Sequence, residues 1–272
     1  MLQDIYPHRF HIEFSSKKAS PNDFLICCSD GNVYINHDEN GICFPKVKDA
    51  KLISEPFFLF SIDDMLFFTA ECEDITGCEA VAVRSLRHAE PQWLAFAGIV
   101  GFRLCDWYER NHFCGRCAAR LEHGASERSL CCPKCGNVIY PTICPSVIVA
   151  VRNGSKLLLT RYQQSHSTYR HYALCAGYIE TGESAEDAVR RELMEEVGLR
   201  VKNISYYKSQ PWPLSGALLI GFFCDVDGSD AITRDESELS EAVWIDRADM
   251  PDRSNDVSLT SEMMEQFRMG LK

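Results

Sequence analysis

The chain has 272 residues, 46% of them hydrophobic and 25% charged, with a formal net charge of −11 at pH 7. That length accommodates two domains with their own cores. The acidic balance excludes a surface built for non-specific grip on polyanions, so a phosphate-bearing ligand must be held locally, by metal or by a few placed cations.

From the N-terminus, MLQDIYPHRF lacks a basic segment followed by an apolar one, and no later apolar run approaches the roughly 18–20 residues that cross a bilayer. A cytoplasmic protein with no membrane partner is expected. Residues 1–110 carry short strand-like runs (FLICC, NVYIN, EPFFLF, MLFFTA, AVAVRSL) separated by turn-rich pieces such as SDGN and DENG. EPQWLAFAGIVGFRLCDWYERNHF then has helical spacing. This stretch reads as an N-terminal α+β domain with no catalytic constellation.

Fourteen cysteines is a high count. Cys27, Cys28, Cys43, Cys72, Cys78, Cys105, Cys144, Cys175 and Cys224 show no framework spacing and read as reduced, mostly buried small residues. FCGRC and CCPKC differ. They supply Cys114, Cys117, Cys132 and Cys135, two C-x-x-C pairs at the spacing of a structural four-thiolate zinc ribbon, placed at residues 111–140. Cys131 competes with Cys132, but only Cys132 keeps the two-residue gap to Cys135. Four sulfurs leave no open position for water, so the role of this zinc is folding. The segment between the pairs has mixed charge and no aromatic residue, a poor nucleic-acid surface.

Residues 141–272 form the last expected domain. SVIVAVRNGSKLLLTRY is two strands around Asn153-Gly154, and HYALCAGYI is another strand. A helix follows at about 184–197, then strands near 204–209 and 217–225, a strand at AVWID and a helix at about 258–269. Ser184 is the expected N-cap, with Asp187 three residues on, and Gly198 the expected terminator. Ala185, Ala188, Val189, Leu193 and Val197 form one apolar stripe. Glu192 and Glu196 fall inside it and Glu195 at its edge, although carboxylates on a packing face need positive compensation. Oxygen ligands one turn apart suit Mg²⁺ or Mn²⁺ bridging to substrate phosphates. Arg191 can orient one carboxylate through a bidentate contact, and Gly177 and Gly182 let the preceding loop fold back.

These residues carry a resemblance. Gly177, Glu183, Arg191, Glu192, Glu195, Glu196, Gly198 and Leu199 occupy every fixed position of the Nudix box, G-x5-E-x7-R-E-x-x-E-E-x-G-hydrophobic. The resemblance implies an α/β fold, a Nudix α/β/α sandwich with a mixed sheet, here preceded by the zinc ribbon and the N-terminal domain. It also implies metal-dependent cleavage of a nucleoside diphosphate linked to another moiety. SQPWP, Ser209 to Pro213, is similar to the substrate signature of the NADH pyrophosphatase (NudC) branch, and the order of N-terminal domain, ribbon, Nudix domain and SQPWP matches it.

Membership of that branch implies hydrolysis of NAD(H) to NMN(H) and AMP, removal of the NAD cap from RNA 5′ ends, and a homodimer. It implies Glu192, Glu195, Glu196 and Glu238 as Mg²⁺ or Mn²⁺ ligands, with Glu241 a weaker candidate, and one of Glu195 or Glu196 helping to deprotonate water. Arg191 joins the catalytic set. Tyr178, Tyr140, Ser209, Gln210 and Trp212 are the expected substrate contacts. The chain departs from the branch after SQPWP, reading Leu214-Ser215-Gly216-Ala217 where Phe-Pro-x-Ser is usual. ADP-ribose or dinucleoside polyphosphates are therefore alternative substrates. A non-catalytic nucleotide-binding zinc-ribbon protein is the alternative from another class.

Overall fold

The computed structural model describes residues 1–163, 171–253 and 256–272. They divide into two compact units. One is Leu2–Thr142 with Pro213–Gly216; the other is Ile143–Trp212 and Ala217–Lys272 with Met1.

In the N-terminal unit, the hairpin of strands Phe57–Ile62 and Met65–Thr69 is flanked by Phe10–His11 and Phe24–Leu25 in one four-stranded sheet. Phe58, Phe60, Phe67 and Phe68 are buried there. A second sheet orders Glu79–Ala82, Asn32–Asp38 and Cys28–Ser29. Helix α1, Gln92–Arg110, buries Leu94, Phe96, Ile99, Leu104 and Trp107.

Two sequence expectations change here. FLICC is not one strand: its ends join different sheets, with Ile26 and Cys27 buried between them. AVAVRSL is strand only to Ala82 and then a 3₁₀ turn, Val83–His88. Val83 and Leu86, three residues apart, are both buried, and that spacing eclipses in a three-residue turn. The ribbon follows α1, with three short antiparallel strands, Glu122–His123, Leu130–Cys131 and Val138–Ile139.

The second unit is a six-stranded mixed sheet. Its strands are β1 (Cys144–Asn153), β2 (Lys156–Tyr162), β3 (Cys175–Tyr178), β4 (Val201–Trp212), β5 (Ala217–Val226) and β6 (Leu239–Asp246). The order is β4-β5-β1-β2-β6, and β3 pairs with the first half of β1. β1 and β5 run parallel, and the other pairs are antiparallel. The hairpin loop is Gly154-Ser155, with Asn153 still paired to Lys156.

β1 reads SVIVAV because both its faces are covered. Val147, Val149 and Val151 pack with Ala188, Val189, Leu193 and Val197 of helix α2, Ala185–Val197. Ile148 and Ala150 pack with Leu259, Met263 and Phe267 of helix α3, Leu259–Arg268. One helix on each face of a mixed sheet is the α/β/α sandwich. No helix among the described residues is long and apolar enough to cross a membrane.

Candidate active site

Helix α2 starts and stops where local chemistry places it. The Ser184 hydroxyl accepts from the Asp187 backbone N–H at 3.2 Å and donates to the Asp187 carboxylate at 2.7 Å. Gly198 ends the helix at φ 70, in the left-handed region.

Between these ends Arg191 gathers carboxylates from two elements. Its Nε and Nη2 donate to both oxygens of Glu183, each at 2.8 Å. Nη1 donates to Glu192 at 2.7 Å and Glu195 at 3.0 Å, and Nη2 also reaches the Tyr178 carbonyl at 2.9 Å. One guanidinium thus ties the loop before α2, the end of β3 and the helix together. The bidentate partner expected for Arg191 is Glu183, whose carboxyl Arg191 holds down to about 2.

Of the two glycines expected to bend the loop, Gly182 does so at φ 90, whereas Gly177 is a strand residue. It lies in β3, facing α2, and a methyl group there would overlap the Glu192 carboxylate. The Glu192 oxygens therefore occupy the space a side chain would fill, and burial pushes the Glu192 carboxyl up against the opposing pull of Arg191.

Glu196 is outside the reach of that cation. It is 3% exposed, and its buried Oε2 has no hydrogen-bond partner. Burial pushes its carboxyl up to about 7, and the charges of Glu192 and Glu238 add to the rise. The Cys175 thiol and the Ala176 backbone N–H oppose the rise by favouring the charged form. Glu238 is exposed, and its charge is felt at both Glu192 and Glu196. An unpartnered buried carboxylate oxygen that feels two further carboxylates suits a hard divalent cation, although among the described residues the oxygens of Glu192, Glu196 and Glu238 do not gather as closely as the four cysteine sulfurs do. Glu195 is 59% exposed, while Glu241 is occupied by Arg161 at 3.2 Å and the Tyr172 hydroxyl at 3.2 Å. Sequence reasoning missed Cys175, although its place in the strand, two residues before Gly177, puts both on the α2 face.

The four expected cysteine ligands meet in the N-terminal unit. Cys114, Cys117, Cys132 and Cys135 bring their sulfurs within 4.8 Å of one another, with Cys114–Cys135 at 3.7 Å and Cys117–Cys132 at 3.5 Å. A tetrahedron with metal–sulfur bonds of about 2.3 Å has edges of about 3.8 Å, so this cluster fits a tetrahedral metal ion. Cys131 is a strand residue outside the group, with its sulfur 3.9 Å from the Ser129 hydroxyl.

The expected substrate residues have different surroundings. Tyr178 is exposed at the end of β3, and Ser209 and Trp212 are half-buried on β4. Tyr140 belongs to the N-terminal unit, where its side chain is exposed and its hydroxyl donates to the Glu127 carboxylate at 2.8 Å. Gln210 is fully buried, and the backbone at the start of α3 occupies both ends of its amide. Oε1 accepts from Leu259 N at 2.6 Å, and Nε2 donates to the Val257 carbonyl at 2.9 Å.

The NUDIX domain family model matches residues 142–267, the span of the sheet and both its helices. A curated relative from Stutzerimonas stutzeri, named NAD-capped RNA hydrolase NudC, is 32% identical over 228 residues, 79% of each chain. The chain belongs to the Nudix family. Its likeness is to the NudC branch: a relative of the same name from Haemophilus influenzae is 38% identical over 145 residues, 53% of this chain and 54% of that one. The chain thus spans about half the length of the curated relatives it matches at higher identity. A crystal structure of a Nudix hydrolase from Nitrosomonas europaea is 22% identical, with a TM-score of 0.47, covering 58% of this chain and 93% of that one.

Proposed function

We propose that this Nudix protein hydrolyses the pyrophosphate bond of NAD(H) to NMN(H) and AMP, and removes the NAD cap from RNA 5′ ends to leave 5′-monophosphate RNA. The observation that carries the reading is the buried, unpartnered oxygen of Glu196 on the apolar face of α2, beside Glu192 and Glu238. The SQPWP stretch, which runs along β4 to Trp212, and the name of the Stutzerimonas stutzeri relative support NAD as the substrate moiety.

Glu192, Glu195, Glu196 and Glu238 would hold Mg²⁺ or Mn²⁺, which supplies charge neutralisation on the pyrophosphate and a more acidic bound water. Arg191 keeps Glu192 and Glu195 oriented and fixes the loop beneath them. Glu195 and Glu196 are the two groups for taking the proton of the attacking water, and the pH–rate profiles of Glu195→Gln and Glu196→Gln separate them. Tyr178 and Trp212 offer flat apolar faces for base or nicotinamide, Ser209 a hydroxyl, and Tyr140 is a further aromatic contact. Gln210 acts from behind, holding β4 to the start of α3. The four cysteines would hold one structural Zn²⁺. A cytoplasmic homodimer completes the proposal, and sedimentation of the purified chain checks its oligomeric state.

The deciding experiment is a product assay on NADH and NAD-capped RNA, with Mg²⁺ and with Mn²⁺. NMNH plus AMP, and 5′-monophosphate RNA, are expected. Glu196→Gln should abolish turnover while leaving the zinc content at one per chain. Metal-dependent turnover retained in that variant would sink the site assignment. Leu214-Ser215-Gly216-Ala217, the departure after SQPWP, favours a second reading in which ADP-ribose or a dinucleoside polyphosphate is preferred. Relative kcat/KM values for these substrates against NADH decide it.

A further inference from the structure

Outside the four-cysteine cluster the N-terminal unit holds further close thiols: Cys28 and Cys105 interact, and Cys27 and Cys72 meet. Cys27 follows strand Phe24–Leu25 and Cys72 opens strand Cys72–Ile75, 45 residues later, yet their sulfurs are 3.2 Å apart. A disulfide needs about 2.05 Å, so the remaining approach is about 1 Å. Both side chains line a cavity of about 850 Å³. Their environments are unequal: Cys27 is buried and Cys72 half-buried. The hydrogen bond between them raises the Cys27 thiol, which burial raises further, and the same bond lowers Cys72. The more accessible sulfur is thus the better thiolate and the enclosed one is placed behind it, the arrangement of an attacking and a resolving cysteine.

We propose that Cys27 and Cys72 form a reversible oxidisable site that takes a small external disulfide, neutral or cationic, through this cavity. The Cys72 thiolate attacks one sulfur of that disulfide. The external S–S bond breaks, and one half leaves as a thiolate that takes up a proton. Cys27 then gives up its proton and attacks the Cys72 sulfur, forming the Cys27–Cys72 bond and expelling the second half as a thiol. Two protein thiols are oxidised by two electrons, and one disulfide is reduced to two thiols. The class of oxidant follows from the cavity wall, whose carboxylates (Glu55, Glu71, Asp74, Glu109 and Glu122, with Glu73 paired to Lys51) outnumber its one guanidinium, Arg120, and repel an anionic disulfide.

The test treats the full zinc-loaded chain with cystamine, a cationic disulfide, at mildly alkaline pH without denaturant. Quenching, alkylation and digestion without reduction follow, and peptide fragmentation locates each link. A Cys27–Cys72 link that dithiothreitol removes is expected. Cys27→Ser should instead hold cysteamine as a mixed disulfide on Cys72, and Cys72→Ser should leave Cys27 unmodified. Oxidised glutathione, which is anionic, should react several-fold more slowly. The proposal is overturned if wild-type chain retains cysteamine on Cys72 unresolved. It is equally overturned if the native link joins Cys28, Cys78 or Cys105, or if linkage needs denaturant. An equal rate with oxidised glutathione overturns the assigned oxidant class.

Discussion

Glu192 and Glu196 sit one helical turn apart, but their surroundings give them different properties. Glu192 shares Arg191 and lies over a glycine, so its position depends on an absent side chain. Gly177→Ala should push the Glu192 carboxylate off its place. A displacement of about 1 Å costs on the order of 10²-fold in rate, and steady-state kinetics at saturating Mg²⁺ should show that loss in kcat. Glu196 has no cation of its own, and its folded carboxyl stands at about 7 against 4.5 for the free group. Between those values the folded state binds more protons than the unfolded, so stability without added Mg²⁺ or Mn²⁺ falls as pH rises through that window. Glu196→Gln removes the penalty. It should raise urea-unfolding stability by up to about 3 kcal/mol above pH 7, with the difference vanishing below pH 4.5. A variant that is more stable and inactive separates a site group from a packing group.

At the scale of elements, α2 is held in place by its own signals and by one guanidinium. The helix expected at about 184–197 is observed at Ala185–Val197, because Ser184 and Gly198 act through hydrogen bonds only a few residues long. Such signals are legible in a linear sequence. FLICC and AVAVRSL were not, because burial against distant residues decides where each strand breaks. The loop before α2 depends on the Arg191 fork across Glu183 and the Tyr178 carbonyl. Arg191→Lys keeps the charge but loses the planar pair of donors. A lower urea midpoint than wild type at neutral pH is expected, because the fork across Glu183 is lost. The folded pKa of Glu183 is depressed, so its share of stability is present above 4.5 and lost as pH falls toward about 2. The deficit of Arg191→Lys should therefore shrink in strong acid.

Across the molecule, the parts legible in sequence were those whose residues lie close together in the chain: the glutamate helix and the two C-x-x-C knuckles. The long-range partnerships were invisible. Nothing near Gln210 announces that it meets Val257 and Leu259, and no spacing brings Cys27 to Cys72. Gln210→Ala would leave a buried N–H and a buried carbonyl unpaired, a loss of about 1–3 kcal/mol. Its kinetic effect should fall on KM for NADH more than on kcat, because the strand it steadies carries Ser209 and Trp212 and none of the glutamates. The last helix is thereby a handle on recognition. A truncation, fusion or bound partner that disturbs the start of α3 would alter which substrate is held while leaving the bond-breaking machinery as it was.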